Sequence, residues 1–272
     1  METAPCRLPK LDPNVLVPLV NIMRSLVFLC LAAIGTMPSA AQVCGRDDVS
    51  GAYGFQLSGT TSIGADGPQP MVAIGRLVFD GQGGVTGVSS ADLAGYFLGN
   101  PVTGSYTFKS DCSLTFALQD DSGAFQHFTG LAKPGGASIE IHQSDPDTGE
   151  RGAMERTLES CDAASLRGAY NFTLSGIASQ FDTEEAPGSK ISIAGTVTAD
   201  GAGNLTFTTS AGKTTGSYQL DSGCVAEIEL GILEGNSAGI LKLRGVLVKQ
   251  GKLLLAVESD PARIASARFT AQ

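Results

Sequence analysis

Only two imidazoles occur in the 272 residues, His127 and His142. A catalytic Ser/His/Asp set needs one of them beside an activated nucleophile. In Ile139-Glu140-Ile141-His142 the isoleucines take one face of a strand, and His142 shares the other with Glu140, toward solvent. Carboxylates are more plentiful. Asp145-Pro146-Asp147-Thr148-Gly149-Glu150 brings three of them into one turn, so Asp145, Asp147 and Glu150 form a weak calcium candidate. Asp80-Gly81-Gln82-Gly83 and Asp200-Gly201-Ala202-Gly203 resemble the opening of a calcium loop, but no glutamate follows at the EF-hand distance. Turn chemistry accounts for both. The reading therefore assigns no metal, no cofactor and no catalytic residue.

Tyrosines offer a different chemistry, an apolar body with a hydroxyl handle. Tyr53, Tyr106, Tyr170 and Tyr218 each alternate with apolar neighbours, and Arg76 is a candidate inward charge on the next strand. Together these five could line an interior pocket for a small hydrophobic ligand. The alternative is core packing with each hydroxyl satisfied by backbone.

The elements that must position these groups come from a repeat. Gly51-Ala52-Tyr53-Gly54-Phe55-Gln56-Leu57-Ser58-Gly59 returns as Gly168-Ala169-Tyr170-Asn171-Phe172-Thr173-Leu174-Ser175-Gly176. Period-two alternation of Tyr, Phe and Leu marks a strand with one buried face. Further matches follow in order: Gly75–Gly84 with Gly195–Asn204, Thr103–Tyr106 with Thr215–Tyr218, and Ser144-Asp145 with Ser259-Asp260. The chain is read as a duplicated domain, 42–159 and 160–272, behind a leader over 1–41. Strands are expected at 52–59, 72–79, 85–92, 104–108, 114–118, 124–132, 137–143 and 152–158, with Asp-Gly turns between some of them. Eight antiparallel strands per unit without intervening helix predict all-β architecture, as two tandem eight-stranded barrels in preference to sandwiches.

The Gly-x-Tyr-x-Phe opening resembles the Gly-x-Trp that begins the first strand of lipocalins and other calycins. That resemblance implies an arginine from the last strand packed over the ring, which places Arg156 on Tyr53 and Arg268 on Tyr170. The full set of motifs (Gly-x-Tyr-x-Phe, Asp-Gly-x-Gly, Gly-x-Tyr, Asp-Cys) is similar to a group of exported bacterial proteins, a likeness that spans both units and brings no site with it.

Export is also read from the N-terminus. Arg24 precedes the apolar run Ser25–Ile34, and Pro38-Ser39-Ala40-Ala41 offers a cleavage site, so the product is expected to be secreted or periplasmic. Met23 is a candidate start. Of the six cysteines, Cys6 and Cys30 leave with the leader. The repeat then pairs the remaining four as Cys44–Cys112 and Cys161–Cys224. Without residues 1–41 the chain carries 15 basic and 25 acidic side chains, a net charge of −10. That excess disfavours nucleic acid or an anionic membrane as partner. A small hydrophobic molecule or an envelope protein fits better. Three functions remain in order: an exported non-enzymatic binder of a small hydrophobic ligand, a structural or protein-interaction module with filled barrels, and, well behind, a cofactor-free isomerase or cyclase.

Overall fold

The computed structural model describes residues 44–62, 67–234 and 237–272; the expected leader lies outside them. No helix among the described residues is long and apolar enough to cross a membrane. The first half holds β1 (Gly51–Ser62), β2 (Pro68–Phe79), β3 (Gly84–Leu93), β4 (Tyr96–Phe108), β5 (Ser113–Asp120), β6 (Phe125–Ala132), β7 (Ser138–Gln143) and β8 (Arg151–Arg156). Each strand pairs antiparallel with the next, and β8 returns to β1 with Tyr53 opposite Arg156 and Phe55 opposite Met154. The second half repeats this as a separate closed barrel of β9 (Arg167–Ala178), β10 (Lys190–Asp200), β11 (Asn204–Thr209), β12 (Gly212–Leu220), β13 (Val225–Glu234), β14 (Ser237–Val248), β15 (Leu253–Glu258) and β16 (Arg263–Ala271). There β16 closes on β9 with Phe269 opposite Phe172.

The Asp-Gly turns work as their composition requires. Asp80 Oδ1 accepts the backbone N–H groups of Gln82 at 2.7 Å and Gly84 at 2.9 Å, and Gly81 takes a φ of +76°. Asp200 does the same for Ala202 and Asn204. These hydrogen bonds hold both carboxyls below the ordinary value. One turn was invisible to sequence patterning. The β3–β4 hairpin is made at Ala94 and Gly95, both at positive φ, and β4 begins at Tyr96, eight residues earlier than expected. Ala-Gly is a weak turn signal, and Pro101 reads as a strand breaker. Pro101 pairs with Val88 of β3 at a point where the β4–β5 ladder has not yet begun; that ladder starts at Val102.

Inward residues fill the middle of each barrel. In the first, Phe79 meets Tyr53, Tyr106 and Phe116 edge-on, and Phe116 stacks on Phe128. In the second, Phe172 packs against Phe207 and Phe269. The disulfides are Cys44–Cys112 and Cys161–Cys224, one in each half.

A third apolar cluster joins the barrels from their outer walls, with Val72 and Ile74 of β2 against Val246, Val248, Leu253, Leu255, Val257 and Ile264. Gly54 makes the approach possible: a Cβ there would lie 2.5 Å from Val248 Cγ1. The repeat carries Asn171 at that place, so only the first barrel offers this flat spot. Beside it Gln56 donates to the carbonyls of Ala256 at 2.7 Å and Ala267 at 3.1 Å.

Candidate functional site

Tyr53 and Tyr170 are buried, while Tyr106 and Tyr218 each border a cleft. Tyr53 donates its hydroxyl to the carbonyls of Gly136 at 2.8 Å and Asp48 at 3.1 Å. Those carbonyls belong to two short 3-10 turns, Arg46–Asp48 and Pro134–Gly136, at one end of the first barrel. Tyr170 holds Gly251 and Arg167 in the same way, and Tyr218 holds Ala163 and Leu166. Burial pushes the Tyr53 phenol up to about 12 and raises Tyr170 and Tyr218, so these hydroxyls act as donors. Tyr106 is half-buried against Phe79. The four rings are core and end-closure.

Arg156 lies 4.9 Å from the centre of the Tyr53 ring and donates to the carbonyls of Ser50 and Asp48, both at 2.9 Å. The matching expectation for Arg268 fails. Register places Ala271 opposite Tyr170, and Arg268, an odd number of positions away, falls on the outer face. There its Nε donates to Gln56 Oε1 at 3.3 Å across the barrel junction. Arg76 also faces outward, on the side of Val72 and Ile74, and one of its terminal nitrogens is 3.4 Å from the Glu159 carbonyl. It is not an inward charge.

The calcium turn is likewise dispersed. Asp145 accepts from the His127 backbone N–H and contacts its Nδ1, both at 2.7 Å, and accepts from Gln143 Nε2 at 3.0 Å. Asp147 contributes its carbonyl to Ser62. Glu150 turns inward and is only 1% exposed. Among the described residues no group of three such side chains is arranged to hold a metal. His142 Nε2 meets Thr129 Oγ1 at 2.7 Å on the outer wall. A Gly-x-Ser-x-Gly string does occur, at 235–239, but its Ser237 opens β14, a strand. A nucleophile elbow needs a strand-to-helix turn, and both histidines belong to the other barrel.

What the first barrel does possess is an open mouth at the end away from its tyrosine-held turns. A cleft of about 400 Å³ lies there. Its apolar lining includes Met71, Leu93, Leu98, Val102 and Phe125; Leu98 and Phe125 stand on the rim, more than half exposed. Its polar lining includes Thr61, Asn100, Asp120, Gln143, Asp145 and Thr148. Alternation along β1, β7 and β8 turns Thr61, Gln143 and Glu150 into the barrel. The Thr61 hydroxyl donates to the Glu150 carboxylate, while burial first and the nearby Asp145 charge second push that carboxyl up to about 7. Glu150 Oε1 and Gln143 Oε1 are buried without a hydrogen-bond partner among the described residues.

Gly59 allows this arrangement. Its φ is +151°, and a Cβ there would sit 2.3 Å from the Gly149 carbonyl oxygen, so the chain entering β8 can lie directly on β1. Sequence patterning missed the mouth because it placed Glu150 in an exposed turn. The period-two phase running back from Met154 through Gly152 was the signal that could have found it.

The second barrel has a cleft of about 440 Å³ whose lining carries Asp182, Glu184, Glu185, Lys190 and Arg263 beside Ile191, Ile193 and Phe207. It is a mixed-charge surface.

No family model matches the chain, and a search of curated proteins found no match. Among solved structures, an intact Ap-TbpB with N and C lobes aligns over 81% of this chain and 76% of its own, at 8% identity and a TM-score of 0.26. A mutant of the vaccine antigen transferrin binding protein B from Haemophilus parasuis aligns over 80% and 75%, at 10% identity and a TM-score of 0.26. A porin-like protein from Bacteroides uniformis covers 80% and 97%, at 12% identity and a TM-score of 0.18.

Proposed function

We propose that the chain is an exported, non-enzymatic binding protein that takes a small, largely apolar ligand in the open mouth of its first barrel. The observation that carries this reading is the 400 Å³ cleft, with an apolar rim exposed at Leu98 and Phe125 and a polar floor beneath. Such a cleft, apolar with a few convergent polar groups, has the size and character of a small-molecule site. The packed barrel middles put the binding space at the mouth, not deep inside. Two disulfides and the leader-like N-terminus support export into an oxidising compartment.

A neutral fluorescent probe such as Nile red tests the reading. Fluorescence should rise with the wild-type chain and fall several-fold for Leu98→Ser combined with Phe125→Ser. Unchanged fluorescence in that variant would remove the mouth from consideration. Native mass spectrometry of the protein from its own host then looks for a retained small molecule. The second reading, a protein-interaction module, is favoured by the exposed Tyr96, which meets Phe181 edge-on and adjoins Leu98 on β4. Co-purification of a protein with an empty mouth would support it.

A further inference from the structure

The mouth of the first barrel is furnished with acceptors. Gln143 commits its amide nitrogen to Asp145, which leaves Oε1, in a side chain 9% exposed, without a donor. Glu150 Oε1 is in the same condition. No lysine or arginine is among the described residues lining this cleft.

The second barrel supplies an internal comparison. Matched pairings, Ile139 opposite Met154 and Leu254 opposite Phe269, set the correspondence between the two mouths. Glu258 then stands where the first barrel has Gln143, Ala265 where it has Glu150, and Arg263 where it has Thr148. In the second barrel Arg263 Nη1 reaches to 4.0 Å from Glu258 Oε1. One mouth thus brings its own cation to its buried acceptor, while the other keeps more acceptor oxygens and has a short neutral threonine at the cation's place.

Resting on the binding reading above, we propose that the first barrel selects ligands bearing a protonated amine, seated against Gln143 and Asp145 of the cleft lining with the buried Glu150 carboxylate contributing its charge from within the barrel, and with the apolar portion over Leu98 and Phe125. An ammonium supplies both things the floor lacks, hydrogen-bond donors and positive charge. A bare metal ion is disfavoured by the cleft's size and apolar rim. An anionic ligand would face Asp145 and Asp120 together. The ionisable groups around Glu150 are Asp145, in the segment between β7 and β8, and His127 of β6 through its contact with Asp145; Thr61 of β1 and Gln143 of β7 are neutral. A bound ammonium favours the ionised form of Glu150, so amine affinity should rise with pH while the amine stays protonated.

Calorimetric titration of the purified full chain at about pH 8 with phenethylamine, phenethyl alcohol and hydrocinnamate tests the proposal. These probes share an aromatic tail and differ in the head. The amine should bind about tenfold tighter than the alcohol or better, and the carboxylate weakest. Glu150→Gln and Gln143→Leu should each erase most of that preference. Thr148→Arg, which copies the second barrel, should abolish it while the fold, followed by circular dichroism, persists. Equal affinity for amine and alcohol would overturn cation selection and leave mouth binding standing. Absence of binding by all three probes, together with loss of the Nile red signal, would overturn both.

Discussion

Glu150 and Asp92 are buried carboxyls whose proton affinities set how stability depends on pH. Burial raises Glu150 from its ordinary 4.5 to about 7. Between those values the folded chain keeps a proton that the unfolded chain has released. Stability therefore falls as pH rises from about 4.5 to about 7 and stays lower above it, by up to about 3 kcal/mol. Asp92 is fully buried on the outer face of β3, with Oδ1 accepting from Gly95 N–H at 2.8 Å, and burial raises it to about 6. Its loss of stability spans about pH 4 to 6. Glu150→Gln and Asp92→Asn should each raise the melting temperature by several degrees at about pH 8 and leave it unchanged near pH 4; equal shifts at both pH values would contradict the assignment. Sequence patterning marked Glu150 only as a weak calcium ligand in a turn and did not single out Asp92. Burial of a carboxyl depends on strand phase and on what packs outside the barrel, and a local window contains neither. The cysteine pairs were legible because the duplication matches them, and the Tyr53–Arg156 contact because the opening motif resembles that of the calycins, which implies an arginine over the ring. Arg268 shows the limit, since a displacement by an odd number of residues sends a side chain through the wall.

At the scale of elements, the mouth depends on the short connection from β7 to β8 lying on β1. Gly59 is the position that permits it, and Gly149 N–H donates to the Thr60 carbonyl at 2.7 Å to fix it. Gly59→Val combines an unfavourable φ with a collision against backbone that has nowhere to go. A loss of about 2–4 kcal/mol is expected in urea unfolding, with weaker probe binding in the surviving folded fraction because Glu150 moves with its strand. Full stability in that variant would show that the connection can shift freely. Strand order and the Asp-Gly hairpins could be read from composition, whereas the Ala94-Gly95 turn could not. Its positive φ at alanine is imposed by the long ladders on either side, from Met71 opposite Leu93 to Leu93 opposite Tyr96.

For the whole molecule, the question is what keeps two separately closed barrels together. The answer is an apolar seam between outer walls, seated on Gly54 and flanked by Gln56 and by a Lys249–Glu155 contact of 2.9 Å. The lysine of that pair is about half exposed and so partly screened by solvent, and most of the seam is apolar contact. Gly54→Val should push Val246 and Val248 away while sparing both barrels. Small-angle scattering should then show a larger radius, and protease should cut faster between residues 157 and 166. An unchanged radius would mean that the seam can repack. This junction was not legible in the repeat, except as two unexplained differences between the opening strands, Gly54 against Asn171 and Gln56 against Thr173.

Closure has a further consequence. Since β8 returns to β1 and β16 to β9, neither sheet has a strand left without a neighbour on either side, and unpaired backbone edge is confined to overhangs such as 96–101 of β4 and 190–195 of β10. Another polypeptide could extend either sheet only along such short overhangs, and recruitment of whole strands into cross-β fibrils would first require a barrel to be torn open. Along the closed walls a macromolecule meets side chains, not free backbone.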